Sequence, residues 1–95
     1  MPREHERTTY LTETVIEASS GKHLARISDI SNGGCYIDSI VEVTVGDPIS
    51  FEIHRPGEDP LQFSGTVAYR LSGMGFGVKY AQLNAAQDLF LRGLS

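Results

Sequence analysis

The chain has a single cysteine, Cys35, among 95 residues. An internal disulfide is therefore excluded. Without a second cysteine or a nearby histidine no zinc ligand set is offered, so no metal is expected and a reducing, cytoplasmic compartment fits. Long hydrophobic runs are missing too. No stretch approaches the ~18–20 apolar residues of a spanning helix, and residues 1–9 are charged and polar where a signal peptide carries its apolar segment. No membrane insertion is expected. Basic charge is scarce: eight Lys and Arg against twelve Asp and Glu leave a net charge of −4, the wrong sign for a protein that grips a nucleic acid polymer through a basic face. Any anion site must then be local. Repeats, low-complexity tracts and interdomain linkers are also absent, which leaves one domain with one modest core, burying about 60–65% of the surface of its unfolded chain.

What is present is two-residue alternation. Ile49, Phe51 and Ile53 alternate with Ser50, Glu52 and His54. Leu61, Phe63, Gly65, Val67, Tyr69 and Leu71 do the same against Gln62, Ser64, Thr66, Ala68 and Arg70, and Phe76, Val78 and Tyr80 against Gly77 and Lys79. Each pattern puts one strand face in a core, and the tyrosines fall mostly on those faces. Pro56-Gly57 suits a type II turn between the first two, and Leu71 to Gly75 makes the next turn. Upstream, Thr8–Ala18 and Lys22–Ile30 are rich in β-branched residues and are separated by Ser19-Ser20-Gly21, which predicts an antiparallel pair. Asn32-Gly33 is a preferred pair for a tight primed turn, with Cys35-Tyr36-Ile37 leaving it as a short third strand. Six strands in so short a chain favour a closed antiparallel β-barrel, because closure removes exposed edges. From Asn84 onward a short helix is expected: Asn84 caps, Gln87 completes a capping box, and Leu89, Phe90 and Leu94 pack on the barrel. The expected division is a flexible tail over 1–8, the barrel over 9–81 and the helix over 84–93.

Two segments carry chemistry. Arg3-x-x-x-Arg7 offers two rigid cationic forks, each able to pair bidentately with phosphate or with the O6/N7 edge of guanine and to stack on a base. About twenty residues later, Asp29-Ile30-Ser31-Asn32-Gly33-Gly34 supplies a carboxylate for guanine N–H groups, a hydroxyl, and glycine where backbone approaches a ligand. Alone, Arg3 and Arg7 read as solvated terminal charges beside Glu4 and Glu6, and Asp29, Ser31 and Asn32 as an ordinary Asx-type turn. Together they are complementary halves of one guanine-nucleotide site, with Tyr10 close enough to Arg7 in sequence to stack on a base.

In order, spacing and chain length, Arg-x-x-x-Arg followed by Asp-x-Ser-x-x-Gly resembles the PilZ domain family, bacterial receptors for cyclic di-GMP. Gly75-Phe76-Gly77-Val78-Lys79-Tyr80 is similar to that family's late glycine-to-aromatic strand. The resemblance implies a PilZ-like split barrel and a receptor without enzymatic activity. It implies cyclic di-GMP as ligand, held by Arg3, Arg7, Asp29, Ser31 and Gly34. It also implies an effector protein in trans, with output in motility, exopolysaccharide synthesis, pili or virulence. An adaptor of the same family that binds no nucleotide stands as the alternative.

Gly73-Met74-Gly75-Phe76-Gly77 lacks the strand-then-helix context of a nucleotide-binding glycine loop and reads as turn and close packing. Ser31, Asp29 and one of His5, His23 or His54 make a hydrolytic triad only on paper, since no nucleophile elbow is present. Cys35 reads as a small core residue.

Overall fold

The alternation becomes six antiparallel strands in the computed structural model, which describes residues 8–55 and 57–93, with backbone alone for residues 8–11. They are β1 (Thr8–Ala18), β2 (Gly21–Ile30), β3 (Gly34–Asp38), β4 (Pro48–Ile53), β5 (Leu61–Leu71) and β6 (Gly75–Tyr80), followed by helix α1 (Ala85–Gly93). Around the barrel the order is β1-β2-β3-β6-β5-β4. Closure is made where β4 meets β1, at Ile16 opposite Phe51 and Glu17 opposite Ser50. Thr14, the buried polar side chain on this seam, donates from Oγ1 to the Glu52 carbonyl at 2.6 Å, so its burial leaves no hydroxyl unsatisfied.

Inward-facing residues come from every strand: Ile16, Ile27, Ile37, Ile53 and Phe63 are fully enclosed, with Phe51, Val67 and Phe76 beside them. Phe63 is the centre of an aromatic group. It stacks on Phe51 with centroids 5.6 Å apart and meets Tyr80 at 5.3 Å and Phe90 of α1 at 6.4 Å. Burying each such ring contributes about 1.5–3 kcal/mol. Cys35 is in this core, as its sequence context suggested.

The expected capping box forms. Gln87 N–H donates to Asn84 Oδ1 at 2.8 Å, and Asn84 N–H donates to Gln87 Oε1 at 2.7 Å. The same Gln87 reaches across with Nε2 to the Gln62 carbonyl of β5, docking the helix. Its packing face differs from expectation. Leu91 is buried and Phe90 partly so, whereas Leu89 points to solvent at 72% exposure. Once Gln87 and Asp88 turn toward the barrel, the 3.6-residue period brings Leu91 to the core and swings Leu89 away; Leu94 lies outside the described residues.

Two further departures are local. Tyr69 and Leu71 do not continue the buried face of β5. A register shift between Val67 and Tyr69 reverses the parity, leaving Tyr69 39% exposed and Leu71 exposed as well. Of the described tyrosine side chains only Tyr80 is a core residue. Nor does Asn32-Gly33 form a primed turn: neither residue has positive φ. Gly57 does, at 75°, and Glu58 N–H donates to the Arg55 carbonyl at 3.2 Å, as a type II turn requires. Of the expected tail, Thr8 opens β1 and residues 1–7, with Arg3 and Arg7, lie outside the described residues.

Candidate functional site

The segment from Asp29 to Gly34 ends β2, turns and begins β3. A bulge at Ser28, between the Ile27–Ile37 and Asp29–Tyr36 pairings, lets Ile27 and Ile30 both point into the core. Asp29 is left half-buried opposite Tyr36, a partly exposed residue between the buried Cys35 and Ile37. A turn is then closed by Ser31 rather than by a special backbone conformation. Ser31 N–H donates to the Gly34 carbonyl at 2.8 Å, and its Oγ accepts from Gly33 N–H at 3.3 Å and Gly34 N–H at 3.2 Å. With its own proton directed to the Gly34 carbonyl at 3.1 Å, this hydroxyl satisfies both amides, which explains why no primed turn is needed. Gly33 O accepts from Tyr80 N–H at 3.1 Å, which ties the turn to the end of β6.

Gly34 has a structural duty of its own. A Cβ there would run into the Val78 backbone carbonyl, so glycine is what lets β3 and β6 approach. Gly75 and Gly77 act similarly on β6: a Cβ at Gly75 would stand 2.8 Å from the Tyr36 hydroxyl, and one at Gly77 would enter the Tyr69 ring. The glycine-rich stretch is thus a packing device, as its context indicated.

Ladder register arranges these residues in rows across the barrel's outside. One row runs Asp29, Tyr36, Gly77, Tyr69 over β2, β3, β6 and β5. The next runs Gly34, Lys79, Thr66, Pro48 over β3, β6, β5 and β4. Beyond Lys79 the surface dips into an open cleft of about 440 Å³, whose walls include Ala18, Ile49, Gly65 and Tyr80. Desolvation raises the Tyr36 phenol above its ordinary range, with Asp38, Tyr69 and Asp29 adding to the rise. Burial raises the Tyr80 phenol much further, helped by Cys35 and then Asp29. Asp29 is therefore electrically close to both aromatic hydroxyls.

Of the residues proposed from sequence, Asp29, Ser31 and Gly34 are brought together at one corner of the barrel. Arg3 and Arg7 are not described, nor is the side chain of Tyr10. The described chain starts at Thr8, which pairs with Ile30, while Thr9 pairs with Asp29. Lys79, which the sequence pattern marks only as an outward position of its strand, is exposed on β6 directly opposite Gly34. Only the β3–β6 register reveals it. Among the described residues no group of His, Cys, Asp and Glu is arranged to hold a metal ion, and no helix is long and apolar enough to cross a membrane.

The family model for the PilZ domain matches residues 2–94. Two solved structures share the fold. The PilZ domain of CeSA from a cellulose-synthesizing bacterium superposes with a TM-score of 0.72 at 16% identity, covering 94% of this chain and 97% of that one. The Bacillus subtilis inhibitor of motility, MotI/DgrA, superposes with a TM-score of 0.70 at 18% identity over 96% of this chain, which spans 48% of that protein. No curated protein matches the sequence.

Proposed function

The chain belongs to the PilZ domain family, and from that premise we propose that it is a cytoplasmic, non-enzymatic receptor for cyclic di-GMP that passes its state to a protein partner in trans. The observation that carries this reading is the β1–β2 register. Thr8 pairs with Ile30 and Thr9 with Asp29. Arg7 is one residue before Thr8, and consecutive Cα atoms are about 3.8 Å apart. The start of β1, which follows Arg7 directly in the sequence, is thus beside the Asp29–Gly34 turn, and this supports a site shared by the two motifs.

In this reading Arg3 and Arg7 pair with phosphate and with the guanine O6/N7 edge, and the Asp29 carboxylate accepts from guanine N–H groups. Ser31 holds the turn in shape, its hydroxyl engaged with the Gly33 and Gly34 backbone. Gly34 keeps the floor of the site free of a side chain. Because a dianion gains its charge-assisted bonds only when the arginines close over it, binding fixes residues 1–7 against the barrel and makes a new composite surface for the partner.

Isothermal titration of folded protein with cyclic di-GMP tests the proposal. Affinity in the micromolar range, about −8 kcal/mol, is expected, since two bidentate contacts are offset by the cost of ordering the segment that bears them. A flat titration well above micromolar concentrations would instead favour an adaptor that binds no nucleotide.

A further inference from the structure

We propose that Lys79 is a further ligand-contacting residue of this site, a cation supplied by β6 to a phosphate of the bound nucleotide. The proposal rests on the receptor reading above and adds a residue that neither arginine motif nor turn motif contains.

Its place in the barrel is the first argument. Lys79 is the register partner of Gly34, and Gly33 O and Tyr80 N–H join the turn to the adjoining residue of β6. Within β6 it is the exposed residue between the buried Val78 and Tyr80, so its side chain leaves the barrel on the outer face. Its neighbours on that face do not crowd it. Gly34 lies to one side in β3, Thr66 to the other in β5, and Gly77 two residues back on its own strand.

Charge is the second argument. The described arginines each have an acid: Arg26 has Asp38 at 3.5 Å, Arg55 has Glu58 at 3.1 Å, Arg70 has Glu42 at 3.3 Å and Arg92 has Asp88 at 3.0 Å. Lys79 has no carboxylate within ion-pair reach among the described residues, although Glu17 lines the same cleft. In a chain of net charge −4, an uncommitted ammonium beside the turn is where the local field favours an anion. A lysine is a compact, freely aimed point charge, suited to a phosphate oxygen rather than to the flat edge of a base. The β2–β3 turn is flanked by β1 on one side and β6 on the other, so Lys79 meets the ligand from the flank opposite β1.

Calorimetric titration of cyclic di-GMP into wild type, Lys79→Gln, Lys79→Arg and Lys22→Gln decides the matter. Lys22→Gln makes the same change of net charge at the opposite end of β2 from Asp29, close to the β1–β2 turn. The expected result is a loss of about tenfold for Lys79→Gln, the usual worth of one charge-assisted hydrogen bond. Lys79→Arg and Lys22→Gln should stay within about threefold of wild type, because one keeps the local cation and the other changes only a distant, screened one. Lys79→Gln equal to wild type, or equal losses in Lys79→Gln and Lys22→Gln, overturns the assignment while leaving the receptor reading intact. A wild type that does not bind overturns both. Thermal melts of the variants accompany the titrations; with an exposed side chain changed, their midpoints should match wild type.

Discussion

The Tyr69 ring lies across Gly77 and stacks against Tyr36, with ring centroids 6.3 Å apart and planes inclined by 27°. This row covers β6 from the outside and begins at Asp29, so the candidate site is continuous with an aromatic surface. A methyl on Gly77 must push Tyr69 off the strand. Gly77→Ala is therefore expected to lower stability by about 1–3 kcal/mol, the ordinary cost of overpacking. In a Tyr69→Ala background the same substitution should be neutral or slightly stabilising, since alanine suits a strand better than glycine. Chemical denaturation of the four proteins of this double-mutant cycle gives the coupling; additive effects would show that the two residues do not meet.

Much of this barrel is legible from alternation alone. Ile49, Phe51 and Ile53, or Phe76, Val78 and Tyr80, reach the core wherever the two-residue period continues unbroken. Where it breaks, local sequence gives no warning. The bulge beside Ala68 turns Tyr69 and Leu71 outward because β5 must curve along β6, a demand set by the whole sheet. Asn32-Gly33 misleads for a comparable reason: the Ser31 hydroxyl satisfies the turn's amides, so positive φ is unnecessary there. At the candidate site, Asp29, Ser31 and Gly34 are picked out together by motif because they are close in sequence. Lys79 is far along the chain and becomes visible only through its pairing with Gly34.

Burial of tyrosine hydroxyls gives the stability a pH dependence on the alkaline side. The Tyr80 phenol is raised from its ordinary value of 10.0 by burial, then by Cys35 and Asp29, and Tyr36 is raised less strongly. The folded state thus holds these protons more firmly than the unfolded state does. Their contribution is whole below about pH 10 and is lost as pH rises beyond it, Tyr80 losing up to about 1.4 kcal/mol per pH unit. Urea midpoints measured at about pH 9 and about pH 11 should fall in wild type. Tyr80→Phe should show the smaller fall, keeping the part due to Tyr36; an unchanged fall would mean that Tyr80 is not the group responsible.

Binding and stability should separate along the two motifs. Arg3 and Arg7 precede the first strand, whereas Gly34 is wedged against the Val78 carbonyl, where added bulk has no flexible neighbour to displace. Replacing either arginine with alanine should cost about 1–3 kcal/mol of cyclic di-GMP binding, the worth of one bidentate guanine contact, and leave the melting temperature almost unchanged. Gly34→Ala should lower the melting temperature with or without ligand, so a binding loss in that variant is not by itself evidence of a ligand contact. Amide exchange completes the comparison. On saturation with cyclic di-GMP, exchange over residues 2–9 should slow in wild type and slow much less in Arg7→Ala, while the strands holding Phe51, Val67 and Val78 stay unchanged. Arginine variants that lose melting temperature and affinity in equal measure would make the first motif structural. Unaltered exchange over residues 2–9 in the saturated complex would exclude closure of that segment as the signal, because a ligand shifts only an equilibrium between states that it contacts differently.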